Sequence, residues 1–161
     1  YDKSVYLRLY REPLPVFTDS NTPFEIGKAN ILRNGTDITL ISCGQHVGFC
    51  LDWAEEWSPK ISVEVIDCHT IKPIDKETIL ASARKTGAFV TVEDHSIFGG
   101  LGSSVAELLV ENYPIPMQRI GLKGFATSGE YMRLIDFVGI GKDNVREAIE
   151  SVLARKGYLR V

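Results

Sequence analysis

The residues with the most chemical potential fall in one run: Glu93, Asp94 and His95, followed closely by Phe98-Gly99-Gly100-Leu101-Gly102-Ser103-Ser104. Two carboxylates and an imidazole at the carboxyl end of an apolar strand can serve as a general acid or base, or as a polar contact to a neighbouring subunit. The plainer alternative is a charged loop that caps Ser103 and its neighbours. Backbone N–H groups at a glycine-rich helix start can hold an anion, which makes Gly99, Gly100, Gly102 and Ser103 a candidate anion-binding turn and Asp94 with His95 a candidate polar site. The dinucleotide fingerprint counted from Gly100 requires glycine or alanine where Val105 stands, and no Lys-Ser or Lys-Thr pair follows as in a P-loop. Tight turning and close helix–sheet packing are the favoured reason for these glycines.

Other reactive side chains assemble less well. Cys68 and His69 suggest a thiolate–imidazole pair, but neighbouring residues on a strand point to opposite faces. His46 falls in the first turn of a helix. Cys43, Cys50 and Cys68 are odd in number and lack the Cys-x-x-Cys spacing, so buried thiols in a reducing compartment are expected. With His46, His69 and His95 far apart, no zinc-type cluster can be written, and no metal site is expected. Arg8 and Arg11 carry guanidinium groups suited to phosphate, although from spacing alone a solvated basic strand end is the favoured explanation. Trp53 and Trp57, four apart on one helix, read as core or interface. No complete nucleophile–base–orienter set emerges.

The elements that must position these residues follow from periodicity. Val5–Leu9 alternates as a short strand, and breakers run from Glu12 to Pro15. A linker rich in proline and small polar residues reaches Gly27. Lys28–Arg33, Asp37–Ser42, Ile61–Ile66, Ala88–Val92 and Met117–Gly121 read as strands, and Asn34-Gly35 signals a hairpin between the first two. Helices are expected at Gln45–Trp57, from the Asp75 cap to Thr86, at Ser103–Asn112, at Ser128–Phe137 and at Asp143–Lys156. Strands alternating with helices make an α/β fold in three layers, with a mostly parallel sheet covered on both sides. Residues 25–161 form the domain, and residues 1–24 read as the end of a preceding unit plus a linker.

Composition bounds the rest. The 161 residues carry 18 Lys+Arg and 21 Asp+Glu, a net charge of −3, with 44% hydrophobic residues. That is ordinary for a globular domain and offers no basic field for nucleic acid. No apolar run approaches the ~20 residues that span a bilayer, and the charged N-terminal stretch shows no signal peptide.

Several stretches together resemble the C-terminal domain of transketolase. They are Tyr6–Pro13 (YLRLYREP), Pro23–Asn30 (PFEIGKAN), Leu32–Cys43 (LRNGTDITLISC), Val65–Leu80 (VIDCHTIKPIDKETIL) and Thr91–Ala106 (TVEDHSIFGGLGSSVA). Arg119-Ile120-Gly121 and Ser128–Tyr131 (SGEY) extend the likeness over nearly the whole chain. The corresponding domains of 2-oxo acid dehydrogenase beta subunits and deoxyxylulose phosphate synthase are similar, but usually lack a His95-Ser96 pair in this setting.

The resemblance implies a five-stranded mixed sheet in the order 1-3-2-4-5 with the first strand antiparallel. That order conflicts with the local hairpin signal at Asn34-Gly35, and it is the order we expect. It further implies a cytoplasmic homodimeric enzyme of the pentose phosphate pathway that moves two-carbon ketol units between sugar phosphates. Thiamine diphosphate and Mg2+ are then held by other domains, and this domain supports the dimer and is inactive alone. The expected partner is the rest of the enzyme, its N-terminal thiamine-binding section. Residues 1–24 correspond to the end of the preceding pyrimidine-binding domain plus a linker. The second arginine of the opening segment, Arg11, corresponds to a contact to the substrate phosphate, with Arg8 the alternative. An anion- or nucleotide-binding regulatory module at Gly99–Ser103 is the competing expectation.

Overall fold

The computed structural model describes residues 2–10 and 13–158. In chain order the elements are β1 (Asn30–Arg33), β2 (Ile38–Ser42), α1 (His46–Trp57), β3 (Val63–Asp67), α2 (Lys76–Thr86), β4 (Phe89–Ser96), α3 (Leu101–Asn112), β5 (Met117–Leu122), α4 (Tyr131–Phe137) and α5 (Lys142–Tyr158). The sheet order is β1-β3-β2-β4-β5. β1 runs antiparallel to β3, and the remaining pairs are parallel.

β2 and β3 are buried along their full lengths, as central strands covered on both faces must be. Alternation divides their side chains between two cores. Ile38, Leu40, Val63, Val65, Val90 and Val92 meet α1 and α5 on one face, whereas Ile41, Ile66 and Phe89 meet α2 and α3 on the other. The three layers are thus those expected from the sequence. Asp75 caps α2 by accepting the Thr78 N–H at 3.1 Å, and it also accepts the Ala29 N–H at 2.9 Å, tying the start of the domain to that helix.

The Asn34-Gly35 turn is not a hairpin. It carries the chain around the start of β3, so β3 lies between β1 and β2. The N–H groups of Thr36 and Asp37 bond the Ser62 carbonyl, and Asp37 accepts the Ser62 N–H at 2.8 Å. Gly35 passes so close to β3 that a Cβ there would stand 2.2 Å from the Glu64 nitrogen. Only glycine permits that crossing.

The strand expected at Val5–Leu9 does not form. These residues have no regular structure and find no partner strand among the described residues, and Leu7 and Leu9 are 72% and 78% exposed. β4 runs on to Ser96, so the acidic pair lies within the strand. α3 begins at Leu101, ahead of the expected Ser103. α4 begins only at Tyr131, where both Glu130 carboxylate oxygens accept N–H groups of the first turn.

Candidate functional site

The chain leaves β2 through α1 to reach β3 on one side, while β4 lies on the other. Their carboxyl ends therefore flank a topological switch point, where open α/β sheets form a crevice. Cys43, Gly44, Gln45 and His46 follow β2 there, and Glu93 to Ser96 end β4.

Glu93 and Asp94 are adjacent, yet they serve opposite faces of the sheet. Glu93 is buried under α3. Its two oxygens accept the N–H groups of Leu101 at 2.7 Å and Gly102 at 2.8 Å. The carboxylate sits so near the turn that a Cβ on Gly100 would lie 2.1 Å from Oε2, and one on Gly102 would lie 2.9 Å from Oε1. Burial pushes the Glu93 carboxyl above its usual range, opposed by these two N–H donors and by the charges of His95 and Arg119.

Gly99, Gly100, Gly102 and Ser103 therefore build a helix start whose leading amides already hold an anion, one belonging to the chain itself. Ser103 closes the turn: its Oγ donates to the Ile97 carbonyl at 3.0 Å and accepts the Gly99 N–H at 3.0 Å. Arg119 donates to Ile97 O at 2.8 Å and to Ser103 Oγ at 3.1 Å.

Asp94, on the α1 and α5 face, gathers groups far apart in sequence. Its Oδ2 accepts the Tyr10 hydroxyl at 2.9 Å and the Gln45 amide at 3.1 Å, and the Arg8 guanidinium lies 3.9 Å away. Arg8 also covers the Tyr10 ring, 5.4 Å from its centroid. Burial and then the Asp94 charge raise the Tyr10 hydroxyl well above the ordinary phenol value, so it remains a donor. The Tyr131 hydroxyl is pushed up to about 12 by the same two causes. His95 does not join this cluster. It is exposed, with Nδ1 2.8 Å from the Ser96 carbonyl, which requires a proton on Nδ1.

The remaining candidates stay apart. Arg11 lies outside the described residues. His69 stacks on Phe24 at 4.5 Å with Nδ1 3.0 Å from Thr70 Oγ1, while Cys68 Sγ reaches the Thr70 carbonyl, so the two form no pair. Burial pushes the Cys43, Cys50 and Cys68 thiols up to about 12, which keeps them protonated and unreactive. His46 is fully buried, and burial lowers its pKa to about 4. Trp53 packs on Phe49 and beside Trp57 against the core. Among the described residues, no three His, Cys, Asp or Glu are grouped to hold a metal. No helix among them is long and apolar enough to cross a membrane.

Tyr10, Gly44 and Gln45 were not legible as site residues. Tyr10 is 84 positions from Asp94, and no spacing rule spans that distance.

Comparison with known proteins adds an independent line. The family model described as transketolase, C-terminal domain, matches residues 27–145. A 6-deoxy-6-sulfo-D-fructose transketolase subunit (SqwH) of Clostridium sp. (strain MSTE9) is 41% identical over 160 residues, covering 98% of this chain and 50% of that protein. An apulose-4-phosphate transketolase subunit of Phocaeicola vulgatus is 37% identical over 156 residues, covering 94% of this chain and 50% of its own. The chain thus spans about half the length of the curated relatives it matches. Among solved structures, a split gene transketolase described as an inactive beta4 tetramer superposes with a TM-score of 0.87 at 35% identity, over 91% of this chain and 48% of that one. Transketolase from Leishmania mexicana, at 17% identity and a TM-score of 0.59, covers 84% of this chain and 19% of its own, and shares the fold.

Proposed function

The chain belongs to the transketolase C-terminal domain family, and we propose that it is the last domain of a transketolase that moves two-carbon ketol units between sugar phosphates. The observation that carries this reading is the similarity, 41% and 37% identical across nearly the whole of this chain, to transketolase subunits that are about twice as long. In the complete enzyme, a partner section holds thiamine diphosphate and a divalent metal, usually magnesium. Bound there, the cofactor supplies carbanion stabilisation.

The described residues of this chain do not fit that cofactor. The amides best placed for a diphosphate hold Glu93, and no carboxylate cluster offers a metal site. The same occupation disfavours a regulatory anion site at Gly99–Ser103. We assign the domain a supporting role in a homo-oligomeric, cytoplasmic enzyme, and we read residues 1–24 as the end of the pyrimidine-binding domain plus linker.

Within that segment, we assign the substrate phosphate to Arg11. The assignment follows the place of Arg11 in the segment that resembles transketolase; a guanidinium suits a bidentate phosphate contact, while Arg8 faces Asp94 and the Tyr10 ring. The deciding experiment pairs calorimetry with kinetics. The chain alone should give no heat with thiamine diphosphate and Mg2+, whereas the complete enzyme should bind both and transfer ketol units. Arg11→Ala should raise KM for a phosphorylated acceptor about tenfold or more, because a charge-assisted contact is lost. Saturable cofactor binding by the chain alone, or an unchanged KM, would overturn the respective assignment.

A further inference from the structure

We propose that the segment carrying Tyr10, Phe17 and Phe24 is a docked strap, and that the crevice at the switch point is a groove already filled by it. Topology sets the course of this strap. Tyr10 meets Asp94 near the end of β4. β1 is antiparallel and starts beside the end of β3, with Asn30 paired to Asp67. The chain must therefore travel from β4 to β1 along the carboxyl ends of the sheet, past β2 and β3.

Reach alone does not press it down. β4 and β3 are two strand spacings apart, ~10 Å. Fourteen residues lead from Tyr10 to Phe24, enough for ~46 Å of extended chain. The linker is slack, so contacts must hold it, and each ring rests on a bare or flat place. The Tyr10 ring lies over Gly44, where a Cβ would stand 3.0 Å from Cε2, and its hydroxyl donates to Asp94 at 2.9 Å. Phe17 lies over Gly48 in the first turn of α1, where a Cβ would stand 3.5 Å from Cδ1. Phe24 stacks on His69 at 4.5 Å with its outer face open, and the Pro23 carbonyl accepts the Asn30 side-chain amide at 2.9 Å. A turn takes up slack between the last two rings, with the N–H groups of Asn21 and Thr22 on Asp19 Oδ1. Beside Phe17, which is half-buried, Val16 is 88% exposed.

Both places where an open α/β sheet receives ligands are thus occupied from within. Glu93 holds the amides of the glycine-rich turn, and the strap crosses the switch point. A ligand for this crevice must first lift the strap. The docked strap also fixes the direction in which residues 2–9 leave the domain, so the linker acts as a rigid arm and not as a loose tether.

The test is limited proteolysis of the whole chain with a protease of low sequence selectivity, reading cuts within residues 13–24 by mass spectrometry. Such cuts follow the population in which the strap has lifted. A synthetic peptide of residues 13–24 sets the unprotected rate. The variants change the groove and leave the strap sequence intact. Gly48→Leu places a side chain where the Phe17 ring rests, while leucine is the better helix former. His69→Ala removes the plate under Phe24. The wild-type strap should be cut at least tenfold more slowly than the peptide. Gly48→Leu should speed the cuts about tenfold and His69→Ala about threefold, with cleavage in the exposed loop 123–130 unchanged. A wild-type strap cut as fast as the peptide overturns the proposal. So does a strap equally resistant in both variants and wild type. If cleavage at 123–130 rises in step with that at 13–24, the rings support the whole fold instead of holding a strap, and the proposal fails.

Discussion

Glu93 and Asp94 look interchangeable as a pair, but the pleat gives them unrelated work. Glu93→Ala would strand the N–H groups of Leu101 and Gly102 in a buried setting. A cost of about 2–4 kcal/mol is expected, read from urea unfolding at neutral pH. Glu93→Gln should cost less, because its amide oxygen still accepts one of the two donors. The folded pKa of Glu93 is raised above 4.5, so the folded state holds that proton more tightly than the unfolded chain. Stability therefore falls as pH climbs from 4.5 through the raised value, and Glu93→Gln should flatten that part of the profile. His46 has the opposite sign. Its pKa drops from 6.5 to about 4 on burial, so stability is full above 6.5 and is lost as pH falls toward 4. That drop corresponds to about 3 kcal/mol. His46→Phe should remove this acid-side slope, measured by unfolding midpoints across the range.

Elements depend on close approaches that local pattern does not disclose. Asn-Gly between two apolar runs is a hairpin signal, yet here the turn wraps β3 at Ser62. Gly35→Ala drives a methyl into the backbone at Val63 and Glu64. A loss of more than about 3 kcal/mol, or failure to accumulate folded protein, is expected. Asn34→Ala should be tolerated, and comparing the two by denaturant unfolding separates a crossing from a simple turn. The helix starts show the same limit in milder form. Asp75 was recognisable as a cap because its partner Thr78 lies three residues on. Glu93 was not recognisable as the cap of α3, since it reaches back from the preceding strand.

At the scale of the whole molecule, the buried residues of both cores lie between Ile38 and Val152, while the Tyr10 ring sits against Gly44 just after β2. A chain trimmed to residues 25–161 should still unfold cooperatively. Its melting temperature should fall by only a few degrees, because the main losses are the Tyr10 clasp and the Phe24–His69 stack. A non-cooperative melt would mean that residues 1–24 belong to the same folding unit. The exposed Val5, Tyr6, Leu7 and Leu9 fit the proposed continuation into a neighbouring domain of the enzyme.

The sequence by itself determined the alternation of strands and helices, the two-sided burial of β2 and β3, the Asp75 cap and the family. Each depends on side chains only a few residues apart, or on motifs read as strings. The tertiary structure alone decided that β3 slips between β1 and β2, that Glu93 fills the glycine-rich turn and that Asp94 grips Tyr10. Those outcomes pair groups eight to 84 positions apart. The partners are chosen by which face and which end of the sheet each residue reaches after the layers have packed, and no local periodicity encodes that choice.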